Sequence, residues 1–132
     1  MTVETIMSKT LVTVDVYDSL RKVRKIFDDS EFHHLLVVEN DKLFGVISDR
    51  DLLKALSPSV GSVFESARDA AALNKRAHLI MARKPVTLKP DASIYDAIKI
   101  FNEHHDFSCI PVVDDERKPI GIISWRDILK TL

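Results

Sequence analysis

Cysteine is almost missing: Cys109 is the single one, so no disulfide can form within the chain and a reducing compartment is the simpler expectation. Glycine occurs three times and proline five. Three glycines cannot build a GxxxxGK or GxGxxG phosphate loop, which argues against ATP turnover. Neither HExxH nor Cys-x-x-Cys occurs, so the tempting pairs His33-His34 and His104-His105 lack a metal-ligand frame. No charge of one sign prevails. Lys and Arg number 19 against 20 Asp and Glu, a formal net charge of -1, which gives no electrostatic reason to expect nucleic acid or an anionic membrane as partner. Long apolar runs are lacking too; Leu35 to Val38 is typical and far too short for a bilayer span. The opening Met-Thr-Val-Glu-Thr-Ile-Met has no basic stretch before an apolar core, so no secretion signal is read and a cytoplasmic location is expected. What is present is ordinary for a soluble globular protein: 45% hydrophobic and 30% charged residues, with no low-complexity segment.

The chain repeats itself. Ile6-Met7 answers to Ile80-Met81, Val12-Thr13-Val14 to Val86-Thr87-Leu88, Ser19-Leu20 to Ser93-Ile94, and Lys25-Ile26-Phe27 to Lys99-Ile100-Phe101. The offset between copies grows by one residue before Phe32/Phe107 and by another before Gly45/Gly121, then holds to Leu56/Leu132. Both insertions fall in polar, turn-like stretches, where they are tolerated. The boundaries read as a first repeat over 1–56, a connector over 57–76 and a second repeat over 77–132.

Each copy predicts the order β-α-β-β-α. A short extended piece (12–14; 86–88) precedes a helix whose apolar face is Leu20, Val23, Ile26 and Phe27, or Ile94, Ala97, Ile98 and Phe101. Ser93 is the expected N-cap of the second of these helices, with Asp96 three residues on. An apolar, β-branched strand follows (35–38; 109–113), then a polar turn (39–42; 114–118) and a second strand (43–47; 120–123). A closing helix begins at Ser48 or Ser124. A unit of about fifty residues is marginal alone, so two copies are expected to pack sheet to sheet as a pseudo-two-fold α+β pair. In the connector, Ser57-Pro58 ends the preceding helix and Glu65 to Lys75 predicts another helix.

The chemistry concentrates at Gly-Val-Ile-Ser-Asp-Arg-Asp (45–51) and its copy Gly-Ile-Ile-Ser-Trp-Arg-Asp (121–127). A strand that turns into a helix through Ser-x-x-Asp gathers a hydroxyl, a carboxylate and first-turn N–H groups at one point. That is either a well-capped helix or half of a small-molecule site. Arg50 and Arg126 stand on a first helical turn against the preference of the macrodipole, which hints at an anionic guest. Trp125 is read as a packing or dimer contact before a stacking platform, and Cys109 as a buried structural thiol.

In its Met-x-x-x-x-Val-Thr start, amphipathic helix, Ile-Pro-Val-Val strand at 110–113 and closing Gly-x-Ile-Ser-x-x-Asp, the chain resembles the cystathionine-β-synthase (CBS) domain family over nearly its whole length. The resemblance implies a tandem pair, or Bateman module, with two clefts for adenosine-containing ligands. It implies a homodimer, and a regulatory sensor acting on an effector protein; no effector domain is expected within the repeat pair. Carried over by position, one cleft combines Ser48, Arg50 and Asp51 with Val86, Thr87, Cys109, Ile110 and Pro111. The other combines Ser124, Arg126 and Asp127 with Val12, Thr13, His33, His34 and Leu35. Leu36 stands where the family usually has the proline seen at Pro111. An aspartate can accept hydrogen bonds from ribose hydroxyls, the Ser hydroxyl and N–H groups favour phosphate oxygen, Arg adds a planar charged fork, and Ile110 or Leu35 offers an apolar wall for a purine. The expected ligand is AMP, ADP or ATP, with S-adenosylmethionine as a further candidate. It would be a regulatory ligand and not a catalytic cofactor. No nucleophile, base and oxyanion set can be assembled, so no enzyme is expected. The alternative is a ligand-free dimerisation or interaction module.

Overall fold

The computed structural model describes residues 1–56 and 66–132; the expected helix end at Ser57-Pro58 and the helix start at Glu65 lie outside them. The chain divides into two compact units. One comprises residues 1–12, 40–43 and 84–132, the other residues 13–39 and 44–83. The opening segment of each sequence repeat therefore belongs to the unit that holds the rest of the other repeat.

The unit of residues 13–39 and 44–83 is built around a four-stranded sheet of order β1-β2-β3-β4, with β1 Thr13–Asp15, β2 His34–Glu39, β3 Lys42–Ser48 and β4 Ala82–Arg83. β1 runs parallel to β2, with Val14 opposite Val37. β4 runs antiparallel to β3, with Gly45 opposite Arg83. Helices α1 Leu20–Asp29, α2 Asp49–Ala55 and α3 Ala67–Leu73 complete it. Ser19 caps α1, its Oγ accepting from the Lys22 N–H at 3.3 Å. Of the predicted apolar face of α1, Leu20 and Val23 are fully buried and Ile26 and Phe27 half-buried. Val14, Leu35, Leu36, Val37, Ile47 and Leu73 are buried as well.

The other unit holds α4 Ile94–Glu103, the antiparallel hairpin β5 Cys109–Val113 and β6 Pro119–Ser124, and α5 Trp125–Leu129. Ile94, Ala97 and Phe101 of α4 join Val3, Ile110, Val112, Ile123 and Ile128 in one core. The extended piece expected at 86–88 is reduced to one parallel bridge, Leu88 with Val112; the Leu88 N–H donates to Pro111 O at 3.1 Å and the Leu88 carbonyl oxygen accepts from the Val113 N–H at 2.9 Å. The hairpin turn is held by the Asp114 side chain, whose Oδ1 accepts from the Glu116 and Lys118 N–H groups at 2.9 and 2.8 Å.

The opening segments are seated in the same way in both units. Ala77 N–H donates to Asp18 O at 2.7 Å, His78 N–H to Val16 O at 3.1 Å, and Leu20 N–H to Lys75 O at 2.9 Å. In the other unit Val3 N–H donates to Ala92 O at 2.8 Å, Glu4 N–H to Pro90 O at 3.2 Å, and Ile94 N–H to Met1 O at 3.1 Å. Strand β4 was not expected from the sequence. Its counterpart is the bridge between Ser8 and Ile122. Gly45 and Gly121 explain themselves here: a Cβ on either would collide with the side chain of Met81 or Met7.

Candidate functional site

The two strand-to-helix turns form as the repeats predict. Ser48 ends β3 in extended conformation and caps α2: its Oγ accepts from the Asp51 N–H at 3.1 Å, and Asp51 Oδ2 accepts from the Ser48 N–H at 2.9 Å. Ser124 does the same for α5. Asp127 Oδ2 accepts from the Ser124 N–H at 2.8 Å and from the Ser124 hydroxyl at 3.2 Å, and Ser124 Oγ faces the Asp127 N–H at 3.4 Å. These are full capping boxes. The device is not peculiar to the two turns, for Ser66 with Asp69 and Ser93 with Asp96 cap α3 and α4 likewise.

Each box engages one carboxylate oxygen. Oδ1 of Asp51 and of Asp127 takes no hydrogen bond among the described residues, and both side chains are half-buried. Capping thus leaves an acceptor lone-pair set on each carboxylate for a further donor. Arg50 and Arg126 are exposed and have no ion-pair partner among the described residues.

The turn of the first repeat also gathers His33 and His34. Asp49 N–H donates to His33 O at 3.0 Å, and Asp49 Oδ2 meets His33 Nδ1 at 3.0 Å. The His33 hydrogen bond is the largest influence on the Asp49 carboxyl and holds it below the usual carboxylate range. Burial also pushes the His34 imidazole below its usual range, which for this group favours the neutral form, against the partial pull of Asp49 and Asp51. Leu35 is buried next to it, and Thr13 lies opposite Leu36 across the β1–β2 pairing. The sequence offered no signal for the His33–Asp49 pair beyond the residues themselves, because their contact needs the register of β2 against β3.

The corresponding turn of the second repeat carries Ser108, Cys109 and Trp125 in place of His33, His34 and Asp49. Cys109 sits opposite Ser124, Ile110 opposite Ile123 and Pro111 opposite Ile122. Burial pushes the Cys109 thiol up to about 12, so it stays protonated at neutral pH and is a poor nucleophile. Trp125, at the place of Asp49, lies against Phe101 with ring centroids 4.7 Å apart, so its packing role is real. Val86 and Thr87 are half-buried just before the Leu88 bridge.

By membership, Ser48, Arg50, Asp51, Thr13, His33, His34 and Leu35 belong to one compact unit. Ser124, Arg126, Asp127, Val12, Val86, Thr87, Cys109, Ile110 and Pro111 belong to the other. Among the described residues no group of three His, Cys, Asp or Glu side chains is placed to hold a metal ion, and no helix is long and apolar enough to cross a membrane.

Compared with known proteins, the chain matches the CBS domain twice, over residues 3–58 and 77–132. An uncharacterised protein of Methanocaldococcus jannaschii is 33% identical over 124 residues, 94% of this chain and 37% of that protein. A CBS domain-containing protein of Dictyostelium discoideum is 32% identical over 132 residues, 98% of this chain and 90% of that protein. The chain thus spans little more than a third of the first relative and nearly all of the second. Among solved structures, the CBS domain pair of protein MJ0100, in complex with 5'-methylthioadenosine and S-adenosyl-L-methionine, superposes with a TM-score of 0.78 at 27% identity, covering 99% of this chain and 94% of that one.

Proposed function

The chain belongs to the CBS-domain family as a tandem pair, a regulatory and not a catalytic module, and on that premise we propose that it senses an adenosine-containing ligand. The observation that carries the reading is the duplicated capping carboxylate with one oxygen left over, each beside an exposed arginine. Asp51 and Asp127 accept from ribose hydroxyls through Oδ1 while Oδ2 keeps the helix capped. Arg50 and Arg126 answer a phosphate or another anionic group. In this reading Ser48, Arg50 and Asp51 supply one set of ligand-binding groups and Ser124, Arg126 and Asp127 the other. The bound ligand of the MJ0100 pair supports the adenosyl class and leaves AMP, ADP, ATP and S-adenosylmethionine as the set to test. A homodimer, an effector protein that receives the signal and a cytoplasmic location complete the proposal.

One observation favours the ligand-free alternative: the boxes are complete as they stand and recur at α3 and α4. Thermal melting separates the two. A ligand that binds only the folded chain stabilises it by about 2.7 kcal/mol at one hundred times Kd, which raises Tm by several degrees. Flat melting curves with all four ligands at millimolar concentration would leave the structural module standing. Titration calorimetry then counts sites, with Asp51→Ala and Asp127→Ala each expected to remove one binding event.

A further inference from the structure

We propose that the N-terminal end of α1, together with residues 75–79, is a docking surface for an acidic segment of a partner protein. The repeat supplies an internal control. In the unit of residues 13–39 and 44–83, the α1 end and the segment laced to it by the Leu20–Lys75 and Ala77–Asp18 hydrogen bonds carry Arg21, Lys22, Arg24, Lys25, Lys75 and Arg76 against two carboxylates of the preceding turn, Asp15 and Asp18. The other unit builds the same backbone, hydrogen bond for hydrogen bond, with Tyr95, Asp96, Ile98, Lys99, Met1 and Thr2 at those positions. The fold therefore does not need five of the six cations; only Lys25 has a cationic counterpart, Lys99. Their placement even opposes it, because Arg21 and Lys22 sit on a first helical turn that has no acidic residue, and Arg21 and Lys25 are like charges one turn apart.

Local pairing accounts for only part of the cluster. Lys22 bonds Asp18 at 3.1 Å and Arg24 reaches Asp28 at 3.7 Å, while Arg76 Nη1 donates to the Tyr17 carbonyl at 3.1 Å. Arg21, Lys25 and Lys75 are exposed with no ion-pair partner among the described residues. Tyr17, 62% exposed, and Leu79, 59% exposed, border the cations, so the surface offers charge with apolar footing. The exposed acids Asp28, Asp29 and Glu31 close its far end and would repel a continuous phosphate backbone or an anionic membrane plane. A second copy of this chain offers at the equivalent place only Glu4, Asp91 and Asp96, fewer carboxylates than there are cations to meet. The complement that fits is a short protein segment with several carboxylates and an apolar side chain. This inference holds whichever ligand the turns bind.

The test uses the full chain and a fluorescein-labelled synthetic peptide of glutamates interspersed with leucine, followed by anisotropy. Binding is expected at low salt and should weaken steeply as salt shortens the range of the field to about 8 Å and below. Arg21→Glu with Lys25→Glu should lower the affinity about tenfold or more, and Lys99→Glu in the equivalent helix should leave it unchanged. Arg21→Gln with Lys25→Gln repeats the test should the charge reversal impair folding. Binding that ignores these substitutions overturns the proposal, as does no binding at all. So does a preference for phosphatidylserine vesicles or duplex DNA over the peptide. Salt-sensitive self-association abolished by the charge reversal would overturn it in favour of a second copy.

Discussion

At the scale of single residues, Ser48 and Asp51 share one hydrogen-bonded box but need not share one role. The Ser48 hydroxyl serves the Asp51 N–H, so Ser48→Ala removes a cap and should cost about 0.5–2 kcal/mol of stability. Asp51→Asn keeps an acceptor oxygen for the Ser48 N–H and loses only charge, so the unligated chain should melt nearly as the original does. If Oδ1 of Asp51 receives a ribose hydroxyl, the same substitution weakens the ligand by roughly tenfold, because hydrogen bonds to an ionised acceptor are about twice as strong as neutral ones. Melting of the unligated variants and calorimetric titration with AMP read the two quantities separately. Parallel losses of stability and affinity in both variants would mean that capping is the whole role of the pair.

At the scale of elements, the glycine that opens each turn fixes how close a methionine, Met81 or Met7, can come. A Cβ at Gly45 would meet the Met81 side chain and the Ala82 carbonyl oxygen at 2.9 Å, whereas at Gly121 the three nearest atoms all belong to the flexible Met7 side chain. Gly45→Ala should therefore cost about 2–3 kcal/mol and Gly121→Ala about 1 kcal/mol, since only the second site can relax by a rotamer change. Urea unfolding midpoints compare them, and equal losses would contradict the asymmetry. The elements themselves were legible because their periods differ. Leu20, Val23 and Phe27 spell a helix face, and the run from Leu35 to Val38 spells a strand. The strand bounds were off by one residue: β2 runs His34–Glu39, and Asn40 and Asp41 take positive φ, a two-residue turn tighter than the expected 39–42. The connector helix is shorter than expected, Ala67–Leu73. Strand β4 escaped because Ala82 and Arg83 have no apolar alternation; only their partner on β3 makes them a strand. The candidate site was legible as far as its caps, since Ser-x-x-Asp is a local pattern. The His33–Asp49 contact was not, since it joins the residue before β2 to the first residue of α2.

At the scale of the whole molecule, sequence repeat and compact unit are different divisions of the chain, and the difference can be measured. Val3 is fully buried in the core that contains Ile94, Ala97, Phe101 and Ile128, although it precedes them by most of the chain. Ala77, its counterpart, is fully buried in the unit of residues 13–39 and 44–83, where its N–H reaches Asp18. No periodicity announces this exchange, because each opening segment is too short to show a face and its partner is chosen by tertiary packing alone. Val3→Ala should cost about 2 kcal/mol by lost burial and the cavity left behind. Hydrogen exchange gives the location as well as the size of the effect, because protection reports local opening as well as global unfolding. Faster exchange is expected in α4, β5, β6 and α5, with smaller changes in α1 and β1 to β3. If the extra exchange instead spreads over residues 13–39, the opening segment acts on the repeat it precedes, and the division into units with exchanged leaders fails.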